Sequence, residues 1–515
     1  MHYILSQISR PFSTRTSTAL FGSAILLFFI AANYYPVKPR PRAINEVPIA
    51  FWAWRINAPE EVDVDAAANA TKAKTLFLRA GQIDFDNGEL KRIQAVKGQL
   101  PRAMELQLVY NGTRKFLAEF EHLDLDNFAK SLLEIYQDDL AQADRDQANI
   151  AGIQLDLDVP TRLLPRYAEA LMKLKKILPP NIKLSITGLP TWANSNEINS
   201  VLSVVDFWIP QCYGAEIPNH ITKQIPISSP NNVARTINKI RQLNKPFYAG
   251  LSAYSYAILY AKNGALIEVR GDLDPAAAAQ NKNLELLESR NFKGDEGAGE
   301  RRYVYRANSD FVLDGLIINA GESLVFDLPS AESLRESARA VRENAGENLL
   351  GICIFRLPSS NDETALSLSE ITAAVNDIQT KAATKITLSR DKNQHLKLIA
   401  ENTGTASALV GEDALLIDLA VPAGSLKEES NQAGFAEYQT LCRMPGQDFA
   451  RPCSQRRANI IRLKKNYWKP GSVAIASLML NVETMEKISV TATTRINDGR
   501  IEQEKKEIMI QKSEK

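Results

Sequence analysis

The run AGIQLDLD at residues 151–158 holds the side chains of this chain best suited to chemistry. Side chains alternate between the two faces of a strand, so Gln154, Asp156 and Asp158 share one face. Two carboxylates ~6–7 Å apart along a strand repel each other, which raises the pKa of one of them. A carboxyl group with a raised pKa can keep its proton and act as a general acid. We therefore predict acid–base catalysis by Asp156 and Asp158. A structural alternative is that Asp158 caps the helix after Pro160 while Asp156 pairs with a basic residue.

Strand-like segments and helical runs alternate on both sides of this motif. The helical runs are clearest at 124–142 and 162–178. This alternation predicts a (β/α)8 TIM-type barrel, with the β-rich stretch 303–326 inserted before the last helix. A doubly wound open sheet is the alternative, but no glycine-rich phosphate loop follows any strand. The eight predicted strands are 49–54, 75–80, 104–110, 151–158, 183–188, 206–213, 247–252 and 351–357.

Barrel active sites lie at the carboxyl ends of the strands, where several polar and aromatic residues of this chain fall. Aromatic rings with a few polar groups suit the flat, weakly apolar faces of sugars. Gln211 and Tyr213 share a face at the end of the sixth strand, so we expect both to lie near the carboxylates as supporting residues. The predicted substrate-binding residues are Trp54, Tyr110, Gln154, Trp192 and Gln211.

The stretches GIQLDLD, LSITG and VDFWIPQCYG together resemble the barrel of chitinase-type (family 18) glycoside hydrolases. The body of the chain, roughly residues 47–365, also resembles an exported bacterial family known as domain of unknown function 3142. The family 18 resemblance implies that Asp156 orients a substrate acetamido group, that Asp158 is the acid, and that Tyr213 holds the acetamido oxygen.

The motif departs from the family pattern at several positions. Ala151 and Gln154 replace aspartates, Asp158 replaces a glutamate, and Gly214 replaces the aspartate after the tyrosine. We predict a glycoside-hydrolase-like protein that acts on a carbohydrate. The departures favour the rival hypothesis, a non-catalytic glycan-binding barrel, and a third hypothesis is an envelope scaffold whose second domain recruits a protein.

The ends of the chain differ in character from the barrel. Residues 16–37 carry no charge and include a dense apolar core. This predicts a signal peptide or membrane anchor at 1–35, with a buried helix as the alternative, and hence a periplasmic or membrane-anchored protein. A proline-rich linker follows at 36–47 and the barrel at 48–365. Strand-like runs without helices then predict an all-β sandwich at 383–512.

Composition and cysteine spacing exclude several classes of function. Lys and Arg number 61 against 60 Asp and Glu, so the net charge of +1 gives no reason to bind nucleic acid. The four histidines are scattered and no CxxC motif occurs, so we expect no metal and no cofactor. In an exported protein, Cys442 and Cys453 are predicted to form a disulfide.

Overall fold

A computed structural model describes most of the chain. The predicted signal peptide or anchor (1–35) lies outside the described residues, as does the linker up to residue 38. Within the described ranges, no helix is both long enough and apolar enough to cross a membrane. The described residues are 39–86, 89–214, 216–291, 301–359, 364–390, 395–408, 410–411, 413–426, 434–447, 449–480 and 485–511.

The first part of the chain alternates strands with helices. The helix Leu125–Asp146 illustrates the local signals: the side chain of Asp124 accepts hydrogen bonds from the backbone amides of Asp126 and Asn127 and caps the start of the helix. In chain order the elements are β1 (Ile49–Ala53), α1 (Glu61–Thr71), β2 (Thr75–Asp86), β3 (Glu89–Ala95), β4 (Glu105–Gly112), α2 (Arg114–Glu119), α3 (Leu125–Asp146), β5 (Ile150–Asp156), α4 (Leu164–Ile177), β6 (Lys183–Gly188), α5 (Ile198–Leu202), β7 (Phe207–Pro210), α6 (Pro230–Gln242) and β8 (Phe247–Ser252).

An inserted region follows β8, and the chain then returns to the alternating pattern. The insertion contains β9 (Tyr256–Tyr260), β10 (Leu266–Arg270), α7 (Pro275–Gln280), β11 (Leu284–Asn291), β12 (Arg301–Ala307), β13 (Phe311–Leu313), β14 (Leu316–Ile318) and β15 (Ser323–Leu328). After it come α8 (Ala331–Asn344), β16 (Leu349–Phe355) and α9 (Leu368–Val375).

Eight parallel strands close into a barrel in the order β1, β2, β4, β5, β6, β7, β8 and β16. Strand β1 pairs in parallel with both β2 and β16, so the ring is closed. Strand β3 pairs antiparallel with β2 and lies outside the ring. The predicted (β/α)8 barrel is therefore confirmed. An open doubly wound sheet is excluded, because an open sheet has two edge strands, whereas each of these eight strands pairs with a neighbour on both sides.

The insertion forms an antiparallel sheet in the order β10, β9, β15, β12, β11, beside a β13–β14 hairpin. One face, with Ile258 and Val325, joins the apolar cluster inside the barrel. The opposite face, with Leu259 and Phe326, belongs to a separate cluster. Because the chain enters this sheet directly from the carboxyl end of β8, the sheet lies beside the barrel mouth. The insertion thus begins earlier than the predicted stretch 303–326.

The remaining strands form the predicted C-terminal all-β sandwich. Buried residues from along this whole region, such as Leu398 and Ile417, belong to one apolar core. Cys442 and Cys453 form the predicted disulfide, with a Cα–Cα distance of 5.8 Å. The strands are β17 (Thr384–Arg390), β18 (Leu396–Asn402), β19 (Leu415–Ala420), β20 (Glu437–Cys442), β21 (Arg451–Pro452), β22 (Ile460–Lys465), β23 (Val473–Leu478), β24 (Lys487–Arg495) and β25 (Ile501–Gln511).

Hydrogen bonds join the sandwich to the insertion and to the end of the barrel domain. The amide of Val410 donates to the hydroxyl of Tyr303 in β12 at 3.0 Å. The amide of Ser407 donates to Glu370 Oε1 in α9 at 3.0 Å. Because these contacts involve buried or half-buried groups, the sandwich supports the insertion from the side away from the barrel interior.

Candidate active site

The inner face of β5 carries polar side chains up to the barrel mouth. Gln154 is fully buried inside the barrel. Its Oε1 accepts a hydrogen bond from Trp52 Nε1 at 3.0 Å, and its Nε2 donates to Ser185 Oγ at 3.2 Å. Asp156 is the last residue of β5, and its Oδ1 accepts a hydrogen bond from the hydroxyl of Thr187 on β6. The alternation predicted from the sequence therefore leads from a hydrogen-bonded amide in the interior to a carboxylate at the rim.

Asp156 has the most strongly perturbed carboxyl group of this site. Burial, followed by the nearby charge of Asp158, raises its pKa from 3.8 to about 7. The Thr187 hydrogen bond and the Arg79 charge act in the opposite direction and lower it. A carboxyl with this pKa retains its proton in a large fraction of molecules at neutral pH.

Asp158 lies two residues beyond the end of β5, where its side chain is exposed to solvent. The surrounding protein nevertheless desolvates its carboxyl and raises its pKa. Among the described residues, no hydrogen bond or ion pair engages this carboxyl.

The structural alternative for this motif does not hold. Helix α4 starts at Leu164, its N-cap is Leu163, and no side chain caps it. The short 3-10 turn before it has Pro160 at its N-cap, again without a side-chain bond. Asp158 therefore caps neither element. Asp156 accepts its hydrogen bond from a hydroxyl rather than from a basic residue.

An aromatic wall lines the mouth opposite the carboxylates. Tyr213 is buried and stacks on Phe355 of β16, with ring centroids 5.8 Å apart. Tyr254, at the start of the insertion, packs edge-on against Phe355 at 4.9 Å. Trp54 contacts the same ring at 5.8 Å and is half-buried. Burial is the main cause of the raised pKa of the Tyr213 hydroxyl, and the charge of Asp156 contributes to it. The wall thus lies at the same end of the barrel as the carboxylates, with Tyr213 within electrostatic range of Asp156.

Arg79 of β2 adds a cation between the wall and the carboxylates. Its guanidinium carbon lies 5.7 Å from the centroid of the Trp54 ring. Its Nε donates to Asn111 Oδ1 at 3.0 Å, and its Nη2 donates to Gln94 Oε1 at 2.8 Å. Burial lowers the pKa of Arg79, and the charge of Asp156 partly offsets this effect.

Two of the predicted substrate-binding residues lie outside the mouth. Tyr110 is fully buried on the outer face of β4, where its hydroxyl donates to Asp139 Oδ2 of α3 at 2.6 Å. Trp192 is fully buried in the layer between barrel and helices, and its indole nitrogen donates to the carbonyl of Val159 at 3.2 Å. Neither ring has a face open to a ligand, so their expected contact with substrate is corrected. Trp192 instead holds the backbone next to Asp158.

Gln211 has the position predicted for it. It follows β7, bridges to Gly250 of β8 and is half-buried. Together with Tyr213 it continues the alternation of Phe207 and Ile209, which belong to the inner cluster. The structure therefore groups Trp54, Gln211 and Tyr213 with the carboxylates. Gln154 lies deeper, within the barrel, where it is fully buried and both ends of its amide are engaged, so its expected contact with substrate is corrected as well.

Sequence reasoning missed four side chains of the site: Arg79, Asn111, Thr187 and Phe355. Arg79 had a detectable signal, since a charged residue inside the apolar run TLFLRA is unusual for a strand buried on both faces. The partners of these side chains come from other strands, so no local pattern identifies them. Within the described residues, no group of three or more His, Cys, Asp or Glu side chains could hold a metal ion.

Fold and site together define a (β/α)8-barrel protein with a carboxylate pair and an aromatic wall at the mouth of the barrel. Residues 119–286 match the family described as Domain of unknown function (DUF3142). The family resemblance inferred from the sequence is confirmed over this range. The range includes β5, the carboxylates and Tyr213, but it leaves out Trp54 and Arg79.

Comparison with solved structures finds chitinase-type barrels. A chitinase from Chromobacterium violaceum is 13% identical, with 64% of this chain and 98% of that chain covered and a TM-score of 0.44. A glycoside hydrolase family 18 N-acetylglucosaminidase from Paenibacillus barengoltzii is 10% identical, with 64% and 99% covered and a TM-score of 0.42. Matches at this level carry no information on activity. Comparison with curated proteins found no match to this sequence.

Proposed function

We propose that this protein binds a carbohydrate at the barrel mouth and hydrolyses a glycosidic bond with Asp156 and Asp158 as its acid–base pair. The observation that carries the proposal is the state of Asp158. Its carboxyl is open to solvent, engages none of the described residues, and lies beside a second carboxyl whose pKa is about 7. A carboxylate pair of this kind destabilises a fold and is typical of a functional site.

In the proposed reaction, Asp158 meets the substrate because it is the exposed member of the pair. The raised pKa values keep a proton on the pair near neutral pH, and Asp158 donates it to the glycosidic oxygen. The bond between this oxygen and the anomeric carbon breaks, and its electron pair stays on the oxygen. Water adds hydroxide to the anomeric carbon, and its remaining proton restores the pair.

The test compares turnover of a panel of oligosaccharides by the full-length protein and two variants. Asp158→Asn should lower turnover by about 10²–10⁴-fold, the range typical of lost acid catalysis. Asp144→Asn is the matched control, because Asp144 is exposed on α3, away from the mouth. Equal activity of wild type and Asp158→Asn would remove Asp158 from the mechanism.

The rival function is carbohydrate binding without hydrolysis. It is favoured by Gln154, which stands at a motif position where the resembled family has an aspartate. Here both ends of the Gln154 amide are engaged inside the barrel, by Trp52 and Ser185. Binding of sugars without turnover of any of them would support this function. A protein that binds no sugar at all would favour a scaffold.

We also propose that the protein is exported and remains in the periplasm or at the membrane. The support is the uncharged segment 16–37 in the sequence and the disulfide between Cys442 and Cys453, a bond that persists in oxidising compartments. Cell fractionation should recover the protein with membranes or the periplasm. Full-length protein in the cytosolic fraction would contradict the proposal.

A further inference from the structure

The guanidinium of Arg79 is held in place by neutral groups alone. Its two hydrogen-bond acceptors, Asn111 and Gln94, are both amides. It forms no salt bridge with any described residue, and its third nitrogen, Nη1, donates to none of them. Arg79 is nevertheless buried, with 9% of its surface exposed.

A buried arginine without an anionic partner is costly. Removing a guanidinium from water costs several kcal/mol by general estimates, and proteins usually offset this with a carboxylate in direct contact. The nearest candidate, Asp156, attracts Arg79 electrostatically but makes no salt bridge with it. The positive charge of Arg79 is therefore not neutralised within the site.

The position of this charge indicates what would neutralise it. Arg79 lies over the ring of Trp54, which forms part of the aromatic wall together with Phe355. Its charge is also close enough to lower the pKa of Asp156. A sugar ring placed against the wall would carry its substituents towards Arg79. The two fixed nitrogens hold the planar guanidinium in one orientation, so Nη1 is positioned in advance for an oxygen ligand.

We propose that the barrel mouth takes a saccharide that bears a carboxylate, and that Arg79 binds this carboxylate. The inference rests on the proposed carbohydrate-binding function and specifies its substrate class. Two kinds of sugar offer this chemistry: uronic acids, with the carboxylate on the ring, and amino sugars that carry it on an ether substituent. A neutral sugar would leave the buried charge of Arg79 without a partner.

The experiment measures binding by calorimetry with two matched pairs of probes. The first pair is a hyaluronan tetrasaccharide and its carboxyl-reduced form. The second is the disaccharide of N-acetylglucosamine and N-acetylmuramic acid, compared with chitobiose, which lacks the lactyl carboxylate. A hydrogen bond to a charged group should make the acidic member of at least one pair bind about tenfold tighter or more. The pair that shows this preference identifies the source of the carboxylate.

Variants assign the preference to one side chain. Arg79→Gln should lose the preference, so that this variant binds the acidic and the neutral member of the pair with equal affinity. Arg79→Lys should keep part of it, because it retains the charge without the planar fork. Arg55→Gln is the control: Arg55 is exposed just beyond β1, so its loss removes the same charge near the mouth. An equal loss in Arg55→Gln would indicate a general positive field and overturn the assignment.

The two proposals fail in different ways. Equal affinity of wild type for acidic and neutral members of both pairs overturns the inference, even if neutral sugars are hydrolysed. Tight binding of an acidic saccharide without turnover supports the inference and contradicts hydrolysis. If neither arginine variant folds, the preference of the wild-type protein between the matched sugars still tests whether the site binds acidic saccharides.

Discussion

Replacing Asp156 by asparagine should stabilise the folded protein in a strongly pH-dependent way. The rise of the Asp156 pKa from 3.8 to about 7 corresponds to about 4 kcal/mol of destabilisation once the carboxyl is fully ionised. The folded state holds this proton more tightly than the unfolded state. The destabilisation is therefore absent below about pH 4, grows between pH 4 and 7, and is complete above pH 7.

Asparagine keeps an oxygen that can accept the hydrogen bond from Thr187, so the substitution removes mainly the charge. The attraction between Arg79 and the Asp156 charge is already contained in the net rise of the pKa. We therefore expect wild type and variant to be equally stable near pH 4. Near pH 8 the variant should be more stable by about 2–4 kcal/mol.

The measurement is urea denaturation of full-length wild type and variant from pH 4 to pH 8. Tryptophan fluorescence reports barrel unfolding, because Trp52 and Trp208 are buried in the barrel. Asp144→Asn, which alters an exposed helix residue, should show no such trend. A stability difference that does not change with pH, or a variant less stable at pH 8, would refute the reasoning.

Three further predictions concern stability. Asp158→Ala should leave the free energy of unfolding at neutral pH unchanged or increase it, because it removes a desolvated charge that repels the charge of Asp156. A loss near about 1 kcal/mol in urea unfolding would restore a capping role. Replacing Cys442 and Cys453 by serine should destabilise the sandwich by about 3 kcal/mol in thermal or urea unfolding. Two free thiols in mass spectrometry of the non-reduced wild-type protein would contradict the disulfide. Tyr110→Phe should cost about 1–3 kcal/mol in urea unfolding, because it removes a hydrogen-bond donor from the buried Asp139. The same variant should leave sugar binding unchanged. Weakened sugar binding would show that Tyr110 belongs to the binding site.

The sequence predicted the barrel well because its strands are short apolar runs with distinct boundaries. The insertion was harder to delimit because strand β10 (Leu266–Arg270) has only exposed or half-buried residues and therefore lacks an apolar signal. Strand β3 (Glu89–Ala95) was missed for a similar reason. Only one of its residues, Leu90, is buried, and its remaining side chains resemble those of a polar loop.

The site was predictable where it follows from alternation along one strand. Asp156 and Gln154 were placed on the inner face by this rule, and the structure has them there. The same rule, applied to β4, would have favoured Asn111 over Tyr110, because Asn111 shares its face with the inward Val109. The residue type of an aromatic side chain at a strand end favours Tyr110, but it does not determine which face the ring occupies. Trp192 follows a loop and lies in a 3-10 turn, where alternation gives no information about its direction.

Polar side chains on the inner face of this barrel differ in how they are hydrogen-bonded at different depths. Deep in the interior, both ends of the Gln154 amide are hydrogen-bonded, which reduces the cost of burying it. At the rim, Asp158 and one nitrogen of Arg79 engage none of the described residues. A neutral oxygen, Gln107 Oε1, is also buried without a partner among the described residues, so a missing partner alone does not indicate a ligand. The charge of Asp158 and Arg79, together with their position at the mouth, is what indicates that they are kept for a ligand.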